Sequence, residues 1–123
     1  MSRELLVELI KRKKAIHQAN HDLVIEELSI EEKLALCPEE EESAIEAELL
    51  EVKQKEIASN AQLHRAYFFT QRHTHGLVPH LCPTCFVDHG EETFMVEVTS
   101  ERGNGIRQFE CVSCGYVVRV NPV

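Results

Sequence analysis

The chain has 123 residues, of which 43% are apolar and 28% charged, with no Trp and a formal net charge of −8. The apolar share is that of a folded domain, which excludes a wholly disordered chain, and no apolar run reaches the ~18 residues of a membrane span. The acidic balance weighs against a broad phosphate-binding surface, and in MSRELLVELIKRKK the basic cluster follows the apolar stretch, the reverse of a secretory signal; the expectation is a soluble, cytoplasmic protein with no membrane contact.

Residues 1–74 contain no Gly and one Pro, Pro38. Leu5, Leu6, Leu9, Ile10, Ile16, Leu23 and Val24 recur at helical spacing, and Ile45, Leu49, Val52, Ile57, Ala61, His64 and Phe68 repeat the pattern. Pro38 interrupts the run, and Glu39 to Glu42 suit a helix N-terminus, where carboxylates meet the positive end of the helix dipole. The simplest assembly is an antiparallel helical hairpin turning near Cys37-Pro38, with its acidic tip near 30–48. Ser29-x-x-Glu32 has the form of a capping box, so the alternative is a first helix that breaks there and a three-helix unit. Leu9, Ile16, Leu23 and Ile30 are seven apart, but Arg12 and Glu26 interrupt the matching seam, which leaves a regular coiled coil open.

Charge is uneven along this hairpin. Residues 22–56 hold 13 acids and 3 bases, a net of −10, whereas residues 1–21 hold Arg3 and Lys11 to Lys14 against Glu4 and Glu8, a net of +3. Like charges at i,i+4 repel by a few tenths of a kcal/mol per pair. The acidic block therefore reads either as a solvated surface or as a contact for a partner with a basic surface.

Residues 75–123 differ in character. Cys82, Cys85, Cys111 and Cys114 form two C-x2-C pairs separated by 25 residues. Each pair sets two thiolates on one tight turn, and two such turns complete the tetrahedral sulfur shell that Zn²⁺ accepts; in a reducing compartment this spacing reads as one structural zinc. An iron centre uses the same ligands, so the metal binding is better specified than the metal. Phe94, Val96 and Val98 alternate with Thr93, Glu97 and Thr99, although Met95 makes the other face partly apolar; Ile106 to Glu110 forms a second short strand, and Tyr116, Val118 and Val120 a third. The run Glu101-Arg102-Gly103-Asn104-Gly105 is a turn signal, and Gly115 follows the second pair where the chain must turn sharply. The predicted fold class is α+β: helices over 1–74, then a three-stranded antiparallel sheet over 75–123 clamped by zinc. A piece of about 40 residues buries too little apolar surface to fold alone, and structural zinc contributes on the order of 10–16 kcal/mol.

These residues carry a resemblance. Residues 82–120 look like the zinc-ribbon family of transcription factors, polymerase subunits and ribosomal proteins, and FECVSCGYVVRV resembles the second knuckle and last strand of the TFIIS ribbon. The resemblance implies zinc on Cys82, Cys85, Cys111 and Cys114. The TFIIS ribbon carries an Asp-Glu pair at its hairpin tip; residues 101–105 hold a single acid, and CPTCF lacks the Gly often found after the second Cys. The layout of hairpin plus four-Cys module is similar to the DksA/TraR family of bacterial polymerase regulators, whose acidic tip enters the polymerase, and to coiled-coil-plus-ribbon adaptors in general. This tip lacks the Asp residues of that family, and the gap of 25 is long for it.

Other constellations carry less. Cys37, before Pro38, reads as a small apolar residue at a turn. His17 and His21 are i,i+4 and could share a metal, though such pairs are more often solvated. His73, His75, His80 and His89 flank the first Cys pair and could supply a ligand, but four Cys already suffice. Tyr67, Phe68 and Phe69 read as packing residues at the end of the helical part. Arg102, Arg107 and Arg119 with Lys11 to Lys14 could touch nucleic acid, against six acids in 76–123. With a closed shell of four thiolates, the expectation is a non-enzymatic regulatory or adaptor protein that binds another protein, RNA polymerase being one candidate. A nucleic-acid-binding ribbon, an acidic mimic of nucleic acid, and a homodimer are the alternatives.

Overall fold

A computed structural model describes the backbone of residues 3–74, 81–98 and 107–120. It has the expected α+β layout. Two long helices, α1 (Arg3–Leu36) and α2 (Glu42–Thr74), precede a short helix α3 (Pro83–His89) and strands β1 (Met95–Val98), β2 (Arg107–Cys111) and β3 (Val117–Val120). The predicted turn at 101–105, with Arg102, lies outside the described residues, as do His75, His80 and the side chain of His73. The chain divides into two compact units, Ala15–Ala61 on the one hand and Met1–Lys14 with Gln62–Val123 on the other.

In the unit Ala15–Ala61, α1 and α2 run antiparallel about a turn at Cys37-Pro38. Pro38 is extended, a single 3-10 turn over Glu39–Glu41 follows, and Glu41 N–H closes it on Pro38 O at 3.0 Å. Burial follows alternating steps of three and four: Ile16, Asn20, Leu23, Glu27, Ile30 and Leu34 on α1, continued by Cys37 just past its end, and Ile45, Leu49, Val52, Glu56 and Ser59 on α2. That 3.5-residue period is the signature of a coiled-coil seam. Its end away from the turn is polar, with Asn20 bonded to Asn60 at 3.3 Å and also to Ser59.

Two sequence expectations change here. α1 is unbroken, so Ser29-x-x-Glu32 does not start a new helix and the three-helix alternative falls away. An N-cap at Ser29 is worth about 1 kcal/mol, less than the roughly 1.5–3 kcal/mol of keeping an isoleucine buried, and Ile30 is buried in the seam. The apolar stripe of α2 also differs. Ile57 is 69% exposed and Leu50, seven residues earlier, is exposed too. Leu50 and Ile57 lie on a second stripe on the opposite side of α2, and periodicity alone does not say which stripe meets the other helix. Leu6, Ile10 and Val24 of α1 are likewise exposed.

In the other unit, Leu5 and Leu9 of α1, Ala66 and Phe69 of α2, and Leu81, Phe86 and Val87 are buried. Phe86 of α3 sits 5.7 Å from Phe69 and 6.0 Å from Phe68, centroid to centroid. Phe68 and Phe69 thus pack as the sequence suggested, while Tyr67 is half exposed beneath the Lys13 ammonium.

The sheet has order β1-β2-β3 and is antiparallel throughout. Register pairs Met95 with Cys111, Glu97 with Phe109, and Phe109 with Val118. Directly opposed residues share a face, so Met95, Phe109, Cys111 and Val118 form one buried face, with Cys82, Cys85 and part of Tyr116 against it. The alternation alone left two apolar faces on the first strand, Phe94, Val96 and Val98 on one and Met95 on the other. The structure buries Met95 and leaves Phe94 64% exposed. The core face is the one that carries Cys111, and Met95 is its register partner.

Candidate metal centre

Cys82 and Cys85 are placed by the start of α3. Cys82 is the residue before the helix, extended at φ −75° and ψ 118°, and Pro83 occupies the first helical position, where a missing N–H costs nothing. One turn later Cys85 lies beside Cys82, and Phe86 N–H bonds Cys82 O at 3.1 Å. The first pair therefore opens a short helix instead of the bare turn expected. The helix ends at Gly90, left-handed at φ 69°. Gly90 N–H bonds Phe86 O, the single 5→1 bond of an αL cap, and Glu91 N–H bonds Cys85 O. Gly90 directly after His89 is a stop signal legible in the sequence.

Cys111 is the last residue of β2, and Cys114 lies in the turn that follows. Cys111 N–H bonds Tyr116 O at 2.8 Å and Gly115 N–H bonds Cys111 O at 3.2 Å, which ties the loop shut. Gly115 has φ 77°, the sharp turn that the sequence required there.

The four Sγ atoms, one from each cysteine, all lie within 4.8 Å of one another, and among the described residues they form the one cluster of three or more ligand-type side chains with metal-binding geometry. Cys82 and Cys114 are 3.5 Å apart at sulfur, and Cys85 and Cys111 are 3.7 Å apart. A regular tetrahedron with metal–sulfur bonds of about 2.3 Å has sulfur–sulfur edges of about 3.8 Å. The donor set thus fits one soft ion, and none of the four is in a disulfide. Cys82, Cys85 and Cys111 are buried and Cys114 is exposed, so the centre sits at the rim of the sheet core.

The electrostatics divide the sulfurs. Burial pushes the Cys82 and Cys85 thiols up. Burial acts on Cys111 in the same sense, but the N–H groups of Cys114 and Ser113, at 3.5 and 3.4 Å from its Sγ, outweigh it and bring the thiol to about 7. Cys111 therefore ionises more readily than Cys82 and Cys85, and a cation is what makes four adjacent thiolates tolerable.

The remaining sequence candidates fall elsewhere. His17, His21 and His89 are exposed and join no such cluster. Cys37 is half-buried at the end of α1, its thiol 3.4 Å from Leu34 O. Arg107 is held bidentately by Glu97 at 2.8 and 2.9 Å, and Arg119 reaches Gln108 at 3.3 Å. Arg12 pairs with Asp88 at 3.5 Å, bonds Thr84, and lies over the Tyr116 ring.

The sequence did not reveal the polar frame behind the centre. Asp88 of α3 accepts from Gln62 at 2.8 Å besides pairing with Arg12. Arg65 donates to Val87 O and Asp88 O. None of these residues forms a local motif, so only the fold shows them together. No helix among the described residues is long and apolar enough to cross a membrane. Comparison with protein-family models, with curated proteins and with solved structures finds no match.

Proposed function

We propose that this chain is a non-enzymatic regulatory or adaptor protein, built on a zinc ribbon, that acts through protein contacts. The observation that supports this is the composition of the centre: four cysteine sulfurs at tetrahedral spacing supply a complete shell from the protein itself. A catalytic zinc keeps a position for water or substrate, so a filled shell suits a structural ion. Zinc is preferred over iron because it takes this geometry at no ligand-field cost and needs no redox partner.

The acidic tip is the proposed contact surface. Glu39 to Glu42 are all exposed, and they crown a segment of net charge −10. Their natural complement is a protein with a basic surface, and the ribbon resemblance makes the transcription machinery, RNA polymerase in particular, the partner to test first. The nucleic-acid reading is weaker, because Arg107 and Arg12 are already engaged by Glu97 and Asp88.

Affinity capture from native extract tests the reading. Wild-type protein recovers a defined partner, and a variant with Glu39 to Glu42 changed to Gln recovers far less. Equal recovery by both proteins removes the tip from recognition. Elemental analysis of the same sample reads the metal: one zinc per chain is expected, and iron or no metal overturns that part.

A further inference from the structure

Two exposed surfaces of this chain complement one another. The first is on the start of α1. Leu5 and Leu9 are buried there. At 100° per residue, Leu6, Val7 and Ile10 therefore turn outward, and they are 38%, 42% and 41% exposed. Arg3, Lys11 and Lys14 share that outward side and are exposed as well. The result is an apolar ridge flanked by cations.

The second surface lies at the hairpin turn, where a shallow groove of about 470 Å³ is lined on its apolar side by Leu36, Cys37, Pro38 and Ile45. Glu32 and Glu41 stand on its rim, with Lys33 as the base among its lining residues. Leu36 is 87% exposed, the most exposed of the large apolar side chains described.

We propose that the tip groove of one copy receives the Leu6–Ile10 ridge of a second copy, so that the protein self-associates head to tail. Charge selects this pairing over the symmetric ones. Groove against groove sets Glu32 and Glu41, beside the exposed Glu39, Glu40 and Glu42, against their own copies, and ridge against ridge does the same with Arg3, Lys11 and Lys14. Groove against ridge sets the rim carboxylates Glu32 and Glu41 against Arg3, Lys11 and Lys14 and covers apolar surface on both sides. A contact between two different surfaces closes as a two-fold dimer where both copies make it reciprocally and otherwise builds rings or chains. Charge attraction of this kind is screened over about 8 Å at physiological salt, so added salt weakens it.

The proposal shares with the functional reading only the premise that the tip is a contact surface. It is tested on purified protein, so its failure and that of extract capture are read separately. Sedimentation velocity on the full metal-loaded chain, at low and high protein concentration, is the measurement. Wild type is expected to form dimers or larger species as concentration rises, and fewer of them at high salt. Leu36→Glu alone and Val7→Glu/Ile10→Glu alone are each expected to sediment as monomers. Mixed in equal amounts, they pair through the one groove and one ridge left intact and stop at a dimer. Helical circular dichroism and metal content are checked for each variant. If the ridge variant loses helicity, Lys11→Glu/Lys14→Glu, on solvent-exposed positions, replaces it. A wild type that is monomeric throughout overturns the proposal, as does association by either single-surface variant alone or a mixture that stays monomeric.

Discussion

The guanidinium of Arg65 closes the C-terminal end of the helix that carries Cys85, donating from Nε to Val87 O at 2.8 Å. Its Nη2 reaches Asp88 O at 3.4 Å, while Gly90 and Glu91 satisfy the carbonyls of Phe86 and Cys85. The late carbonyls of α3 are therefore partnered, two of them by one side chain from α2. Orphaning partly buried acceptors of this kind costs about 1–3 kcal/mol. Arg65→Ala is expected to lower stability by that amount and to speed metal transfer to a chelator. An unchanged transfer rate in a stopped-flow chelator assay shows that this cap does not hold the first cysteine pair.

The metal centre gives a second expectation. Cys85→Ser removes one buried ligand and is expected to abolish stoichiometric metal. Structural binding of this type is worth on the order of 10–16 kcal/mol, whereas the cluster beneath it is six buried side chains, three of them cysteines. The sheet should lose its dispersed amide resonances while the helical circular dichroism of α1 and α2 persists. Acid should act in the same direction. Cys82 and Cys85 thiols are raised, so protons compete with the metal for those sulfurs well above neutral pH, and affinity falls as pH falls. The fall should be about tenfold per pH unit for each proton displaced. A chromophoric-chelator titration at several pH values measures the slope, and a flat profile speaks against thiolate ligation.

Much of this fold and site was legible before any coordinates. The paired C-x2-C motifs name ligands through spacing alone, and Gly115 marks the turn through its backbone freedom. The helices followed from a Gly-free, periodic run broken by Pro38. What failed was the choice between faces. α2 has apolar residues on two sides, and Ile57 lost to Val52 because only one side meets α1. β1 has Phe94 and Val96 on one face and Met95 on the other, and the face was decided by Met95 standing opposite Cys111. Ser29 had the chemistry of a cap, but the burial of Ile30 outweighed it. Arg65, Asp88 and Arg12 were invisible because their hydrogen-bond and ion-pair partners are 22 to 76 residues away in sequence.

Gly115 offers a clean test of backbone conformation. Its φ is 77°, and a Cβ built there meets no atom within 4 Å. Gly115→Ala should therefore cost only the left-handed penalty of about 1–2 kcal/mol. Gly115→Asn should cost less, because Asn tolerates that region. Thermal unfolding of the metal-loaded protein measures both. At Gly90, φ 69°, an added Cβ comes 3.6 Å from Arg65 Cδ, an ordinary contact, so the cost there should be similar. A much larger loss at Gly115 than at Gly90 contradicts a purely conformational origin.

The seam between α1 and α2 holds a pair of like charges whose effect on stability can be signed. Glu56 shares a side-chain hydrogen bond with Glu27, and that bond, then burial, then the charges of Glu27 and Glu31 raise its pKa, with Lys53 opposing. Its Oε1 is shielded from solvent and has no hydrogen-bond partner. A carboxyl whose folded pKa is raised binds its proton more tightly when folded. The stabilisation is complete below the unfolded value of about 4.5 and is lost as pH rises through the higher folded value. Ala15–Ala61 should thus melt at a higher temperature in mild acid than at neutral pH, as far as this pair decides it. Glu56→Gln keeps the hydrogen-bonding shape and removes the charge. It should raise the melting temperature at neutral pH and flatten the dependence on pH between there and 4.5. Helical circular dichroism during heating reads both effects. If Glu56→Gln melts no higher than wild type at neutral pH, repulsion between Glu27 and Glu56 is not what limits the middle of the hairpin.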